Sequence, residues 1–284
     1  MLSIRTNMAS LYAQRNVAKA TSDLQENVAR LSSGYRVSKA SDDAAGMGVS
    51  TNLRSQIASY KMASRNADDG ISIIQTAEAA LNESADIITR LRELTVQAAS
   101  DGLGTTERQY LSKEVSELTA ELGRIASTTE FNGRYLLSGA PTLDFQVGIR
   151  GTSDDRIRLS MQGMTLADLG LDGSNFETQF SSYADDSSPG SSYQALLTTL
   201  DTALNTVSGE RAKLGATANR LESAKNTIEI AMESAEQADS RIRDVDVAEE
   251  SSRMSANQVL VQAGVSMLTQ ANQMPEAALE LLVD

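Results

Sequence analysis

Apolar residues recur at steps of three and four along most of the chain, which is the spacing of an amphipathic helix. The longest such segment covers residues 46–100, and another covers residues 193–242. A helix of the first length would extend roughly 80 Å. DGLG at 101–104 ends it, and a further helical segment runs to FNG at 131–133. The pattern predicts a mainly α protein, an elongated antiparallel coiled coil or helix bundle.

Both ends of the chain carry apolar stripes of their own, and we expect these two end helices to pair with each other. The candidate seam residues are Ile4, Leu11, Leu24, Leu31, Leu260, Met267, Leu268 and Leu281. Two helices alone bury only part of such a surface. We therefore expect identical helices of neighbouring subunits to cover the remainder. Pro275 is expected to kink or interrupt the last helix.

A polar segment at about residues 32–45 separates the first end helix from the long helix that follows. Its candidate functional residues are Gly34, Asp42, Asp43 and Gly46. The two aspartates stand where a helix N-terminus favours negative charge. The segment is therefore interpreted as a connection between two separately folded regions.

In the middle of the chain the helical spacing of apolar residues gives way to alternation of apolar and polar residues. Phe145, Val147 and Ile149 alternate with polar residues, and Ile157 and Leu159 continue the alternation after a turn. This pattern predicts a β-hairpin within residues 134–171. Residues 172–192 are rich in Ser, Asp and Gly, and they predict a polar surface loop.

The sequence contains no Cys and no His. Disulfides, cysteine nucleophiles, Ser-His-Asp triads and the usual zinc sites are therefore excluded. We expect no enzymatic activity, no cofactor and no metal. The acidic pairs are assigned to helix caps and turns rather than to cation binding. These pairs are Asp42-Asp43, Asp68-Asp69, Asp154-Asp155 and Asp185-Asp186.

The net charge is −13 and the pI is about 4.6. Such acidity argues against a nucleic-acid partner, because phosphate binding needs clustered Lys and Arg. No run of apolar residues is long enough to insert into a membrane. The N-terminal segment lacks the apolar core of a secretory signal. If the protein works outside the cell, it must leave by another route.

Long segments of the chain match a known family in order. They are SIRTNMASL, LSSGYRVSKASDDAAGMGVS and SRNADDGISIIQTAEAALNE in the first half, and RIRDVDVAEESSRM and SMLTQANQMPEAALELL in the second. On these segments the chain resembles bacterial flagellin, in a short form without a large outer domain. The resemblance implies a secreted structural subunit that polymerises into the extracellular flagellar filament for motility and is exported by the flagellar type III route.

The resemblance also implies a division of the chain. Residues 1–44 and 243–284 would form the terminal coiled coil of an inner tube, with residues 32–45 as the spoke. Residues 45–171 and 193–242 would form the rod domain of an outer tube. The implied partners are other copies, an export chaperone, a cap protein and the hook–filament junction protein.

Arg90, Leu94 and Glu114 match the patch by which many flagellins pack axially and are recognised by a host Toll-like receptor. The alternative from the residues alone is a solvated helix face with Leu94 in a seam. For the whole chain, the alternative function is a hook–filament junction protein with related terminal helices. That protein would diverge more in the long helices.

Overall fold

The computed structural model describes residues 7–172, 176–184 and 189–283. Helices dominate this part of the chain, and four short strands and one 3₁₀ turn (Ser153–Asp155) lie in its middle. The elements are α1 (Met8–Ser33), α2 (Ala44–Ala98), α3 (Thr105–Thr128), β1 (Glu130–Phe131), β2 (Arg134–Tyr135), β3 (Thr142–Gln146), β4 (Arg156–Ser160), α4 (Phe176–Tyr183), α5 (Pro189–Arg243) and α6 (Val247–Val283). The prediction of a mainly α fold with a small hairpin is confirmed.

The last helix continues through Pro275 to Val283. Of the two predicted effects of that proline, the interruption is therefore wrong, and the kink stays a prediction. A proline removes one backbone donor from a helix, whereas the turns on either side keep theirs. A helix of this length can continue across one missing hydrogen bond.

The chain divides into two compact units, of which unit 1 comprises residues 1–57 and 233–284. In unit 1, α1 packs along α6, as the sequence predicts. Gly264 allows a close approach, because a Cβ added there would lie 2.5 Å from Cγ2 of Val17. Asn7 links the start of α1 to the second half of α6. Its side-chain nitrogen donates to the Ala271 carbonyl at 2.6 Å, and its oxygen caps α1 by accepting from the backbone of Ser10.

Unit 2 comprises residues 58–232. Two ion pairs show that α2 and α5 run antiparallel here, because Asp68 contacts Lys225 and Arg92 contacts Asp201, each at 2.7 Å. The core lies between these helices, α3, α4 and the hairpin. Its fully buried residues include Ile74, Leu81, Ile88, Leu91, Leu122, Leu136, Leu137, Leu159 and Leu214. Burial of each such side chain stabilises the fold by about 1.5–3 kcal/mol.

The hairpin of β3 and β4 places its apolar side chains on one face. Leu143 stands opposite Leu159, and Phe145 stands opposite Ile157. All four are buried in the core of unit 2, because successive strand residues point to opposite faces. The predicted alternation is confirmed for Phe145, Ile157 and Leu159, whereas Val147 and Ile149 lie beyond the end of β3 at Gln146.

The predicted surface loop at 172–192 is wrong in its central part, which forms α4, and at its end, where α5 begins at Pro189. Phe176 and Phe180 are buried one helical turn apart. The Phe180 ring meets Tyr193 edge-on, with ring centroids 5.1 Å apart. This burial stabilises a short helix that its Ser-rich surroundings do not favour. Residues 173–175 and 185–188, including Asp185 and Asp186, lie outside the described residues.

The other acidic pairs show two behaviours. Asp155 serves the turn of the hairpin, since its Oδ2 accepts from the Arg150 backbone at 2.9 Å and from the Thr152 hydroxyl at 3.0 Å. The turn assignment is confirmed for this residue. Asp68 lies inside α2 and pairs with Lys225, so the capping assignment is wrong for Asp68. Within the described residues, no group of acidic side chains is arranged to hold a metal ion.

Candidate assembly surface

The paired helices α1 and α6 carry large apolar side chains that this pairing does not cover. Each is between 47% and 65% exposed. We call this set the exposed apolar surface, and it consists of Met8, Leu11, Tyr12, Val28, Val247, Val259, Leu260, Val265 and Met267. So many exposed large apolar side chains on one helix pair are typical of an interaction surface.

The structure separates the predicted seam residues into two groups. Leu24, Leu31 and Leu268 are half-buried in unit 1. Leu11, Leu260 and Met267 belong instead to the exposed apolar surface. The periodicity thus identified apolar stripes without distinguishing the side that faces the partner helix. Ile4 and the side chain of Leu281 lie outside the described residues.

The predicted spoke forms a short two-stranded junction. Gly34 ends α1 with a φ of 76°, and its N–H donates to the Arg30 carbonyl. Only glycine adopts this left-handed conformation without strain. The Val245 N–H donates to the Gly34 carbonyl at 3.0 Å, and the Arg36 N–H donates to the Arg243 carbonyl at 2.6 Å. The junction therefore joins the end of α1 to the end of α5.

Asp42 and Asp43 stabilise the other end of the spoke. Oδ2 of Asp42 accepts from the backbone of Lys39 and Ser38 at 2.9 and 3.1 Å. These two hydrogen bonds hold the pKa of Asp42 below its usual range. Their stabilisation is present above that range and is lost as the pH falls through the lowered pKa. Asp43 accepts from the Gly46 N–H at 2.9 Å at the start of α2, so the capping assignment is confirmed here.

Arg90 and Glu114 lie together on the surface of α2 and α3. Nη2 of Arg90 is 2.7 Å from Oε1 of Glu114, and Nη1 is 3.1 Å from Oε2 of Glu93. Hydrogen bonds to Glu114 and then to Glu93 raise the pKa of Arg90. Glu93 was missed in the sequence, although its spacing of three from Arg90 on a helix was a usable signal.

Leu94 is only 1% exposed and belongs to the core of unit 2. The reading of Leu94 as a seam residue is therefore confirmed. Its side chain is not part of the surface around Arg90 and Glu114. Both charged side chains are about half exposed, at 50% and 43%.

Comparison with known proteins gives the family. The model of the bacterial flagellin N-terminal helical region matches residues 4–142, and that of the C-terminal helical region matches residues 197–282. The chain is 41% identical to the flagellar filament 33 kDa core protein of Treponema phagedenis over 288 residues, covering 98% of this chain and 99% of the relative. The chain belongs to the bacterial flagellin family. It is also 40% identical to the flagellin of Bacillus subtilis (strain 168), with the same coverage.

This flagellin is a structural subunit of the extracellular flagellar filament, and flagellins are structural proteins. Its match to nearly the full length of both relatives agrees with a short form. A solved structure of a flagellar hook-associated protein from Vibrio parahaemolyticus shares the fold. Its TM-score is 0.61 at 15% identity, over 72% of this chain and 100% of that one. None of the helices that the structure describes is long and apolar enough to cross a membrane.

Proposed function

We propose that this flagellin polymerises by covering the exposed apolar surface of α1 and α6 with the same helices of neighbouring copies. The observation that carries the proposal is the exposure of Leu11, Leu260 and Met267 beside a contact that already buries one side of each helix. Contacts between different patches of identical subunits build an open helical assembly when the rotation from one subunit to the next does not close a ring.

The burial available in this surface would contribute substantially to assembly. Its side chains are about half exposed in the single chain. Complete burial would contribute on the order of 10 kcal/mol per subunit, before the entropic cost of association. Association itself costs about 4–15 kcal/mol, so this surface would act together with contacts of the outer tube.

We assign residues 1–44 and 243–284 to an inner tube and residues 45–171 and 193–242 to an outer tube, joined by the spoke at 32–45. The division into two compact units supports this assignment. The structural boundary falls at Ile57 and Glu233, farther into α2 and α5 than the assigned one.

The exposed apolar surface also supports a proposal about the single chain before assembly. Export by the flagellar type III route would need a chaperone that shields this surface, and α6 carries most of it. A cap protein and the hook–filament junction protein would meet the same surface at the ends of the polymer. Pull-down from cytosol with and without residues 245–284 tests the chaperone, which should be lost with the truncation.

Membership of the flagellin family argues against the alternative function predicted from the sequence, a hook–filament junction protein. The fold likeness to a hook-associated protein is compatible with it. The 40% and 41% identities over almost the full chain favour the filament subunit, because they extend through the long helices. Electron microscopy after seeding of the purified protein tests the choice. Micrometre-long filaments support the subunit, and short capped ends support the junction protein.

The exposed pair Arg90 and Glu114 is proposed as the recognition site of a host Toll-like receptor, and as an axial packing contact. Arg90→Ala/Glu114→Ala should lower signalling in receptor-bearing cells about tenfold or more, since charged anchors often dominate an interface. A matched control is Arg92→Ala/Asp201→Ala, which removes an ion pair of similar length and exposure. Equal signalling by the two variants would contradict the assignment.

A further inference from the structure

Glu250 is a buried carboxylate in the first turn of α6. It is only 3% exposed, although the neighbouring Glu249 is exposed. Negative charge at a helix N-terminus is favourable, but Glu249 and the capping residue Asp246 already supply it. The position of Glu250 in the helix therefore does not explain why its side chain is buried.

The side chain of Glu250 meets a buried amide across the two helices. Asn27 of α1 is 6% exposed. In the orientation that satisfies its neighbours, Nδ2 of Asn27 donates to Oε1 of Glu250 at 2.8 Å and to the Asp23 carbonyl at 3.2 Å. Oδ1 of Asn27 accepts from the side chain of Asn257 at 3.0 Å. The result is a buried polar network inside the contact between α1 and α6.

The nearby cations do not depend on Glu250. Arg30 and Arg253 approach it only at 3.9 and 4.0 Å. Each has a closer carboxylate on its own helix, at 2.5 Å for Glu26 and 2.6 Å for Glu249. Replacement of Glu250 would therefore leave both cations paired.

We propose that the buried Asn27–Glu250 pair fixes the register in which α1 and α6 pack against each other. Apolar stripes with a repeat near seven residues tolerate a shift of seven, whereas a buried polar pair does not. A shift of α1 by seven residues would bring Ala20 and Asp23 to the places of Asn27 and Arg30. Glu250 would then lose its donor and face a second carboxylate. This inference concerns pairing within one chain and goes beyond the proposed function.

The absence of cysteine makes the register directly measurable. Val17→Cys/Gly264→Cys reports the observed register, because a Cβ at 264 lies 3.8 Å from the Cβ of Val17, which suits a disulfide. Ser10→Cys/Val17→Ala/Gly264→Cys reports the shifted register, and Val17→Ala removes the Cγ2 atom that a Cβ at 264 would otherwise meet at 2.5 Å. Residue 10 precedes residue 17 by seven positions, about 10 Å along the helix and beyond disulfide reach in the observed register.

With Asn27 and Glu250 intact, only the first reporter should cross-link, in both the soluble and the polymerised fractions. Asn27→Leu/Glu250→Leu should raise the shifted cross-link about tenfold or more, since it removes a hydrogen bond to a buried charge. Asn27→Ala/Glu250→Ala, which adds no side-chain volume, should also raise the yield of the shifted cross-link. Gln25→Leu/Ser252→Leu is the control on exposed positions of the same helices and should leave the register unchanged.

The proposal is overturned if the Leu and Ala variants keep the observed register alone. The backbone hydrogen bonds at Gly34 and Arg36 would then suffice to set it. The proposal is also overturned if the control variant gives as much of the shifted cross-link as the Leu and Ala variants do. It is overturned as well if the first reporter never cross-links. Polymerisation is scored separately by sedimentation, so a failure to polymerise affects the proposed function without deciding the register.

Discussion

Leu260→Asp/Met267→Asp is expected to stop polymerisation. Both side chains belong to the exposed apolar surface, at 58% and 61% exposure, and they lie seven residues apart on one side of α6. Assembly that buries this surface would have to bury two unpaired carboxylates, each costing several kcal/mol. The critical concentration for seeded growth should rise about a hundredfold or more. Sedimentation of the polymer at increasing protein concentration measures it.

Two controls make this result specific. Leu260→Met/Met267→Leu keeps both positions apolar and should polymerise at nearly the original critical concentration. Thermal unfolding of unit 2 should be unchanged in the aspartate variant, because neither position lies in that unit. Growth of the aspartate variant at the original critical concentration would contradict the proposed assembly surface.

Phe180→Ala is expected to lower the free energy of unfolding of unit 2 by about 3–5 kcal/mol. The Phe180 ring is fully buried and contacts Tyr193, so its removal leaves a large cavity. Tyr110→Ala is the control, since that aromatic side chain is 65% exposed and should change stability by less than about 0.5 kcal/mol. Urea unfolding of both variants measures the difference. Equal losses would mean that α4 packs no better than a surface loop.

The long helices could be predicted because their apolar spacing persists over many turns. α2 begins and ends within two residues of the segment drawn from the sequence. The hairpin was also predictable, because alternation at Phe145 and Ile157 has a different period. α4 was missed because it is short and Ser-rich. The spacing of four between Phe176 and Phe180 was the available signal.

The partner of each apolar stripe could not be predicted from periodicity. Leu268 is half-buried in unit 1, and Met267, one residue away, is exposed. An apolar stripe indicates that one face of a helix is buried, but it does not show whether the same chain or another copy buries it. The burial of Glu250 could not be predicted from the sequence either. Its neighbour Glu249 has the same side chain, and only tertiary packing makes one residue buried and the other exposed.

Resemblance and packing agree only in part at the candidate receptor patch. Arg90 and Glu114 stand half exposed and in contact, as a surface site requires. Leu94 is buried, as the helical periodicity alone would place it. An effect of Leu94 substitution on recognition would therefore act through the packing of α2, which holds Arg90 in position.

Methionine oxidation tests most directly whether copies of the chain cover the exposed apolar surface. Met8 and Met267 are 54% and 61% exposed, whereas Met161 and Met164 are 3% and 2% exposed and serve as internal standards. Peroxide should oxidise Met8 and Met267 rapidly in the monomer and about tenfold more slowly in filaments, with the two standards slow in both. Equally rapid oxidation of Met8 and Met267 in monomer and filament, read by mass spectrometry of peptides, would contradict the account.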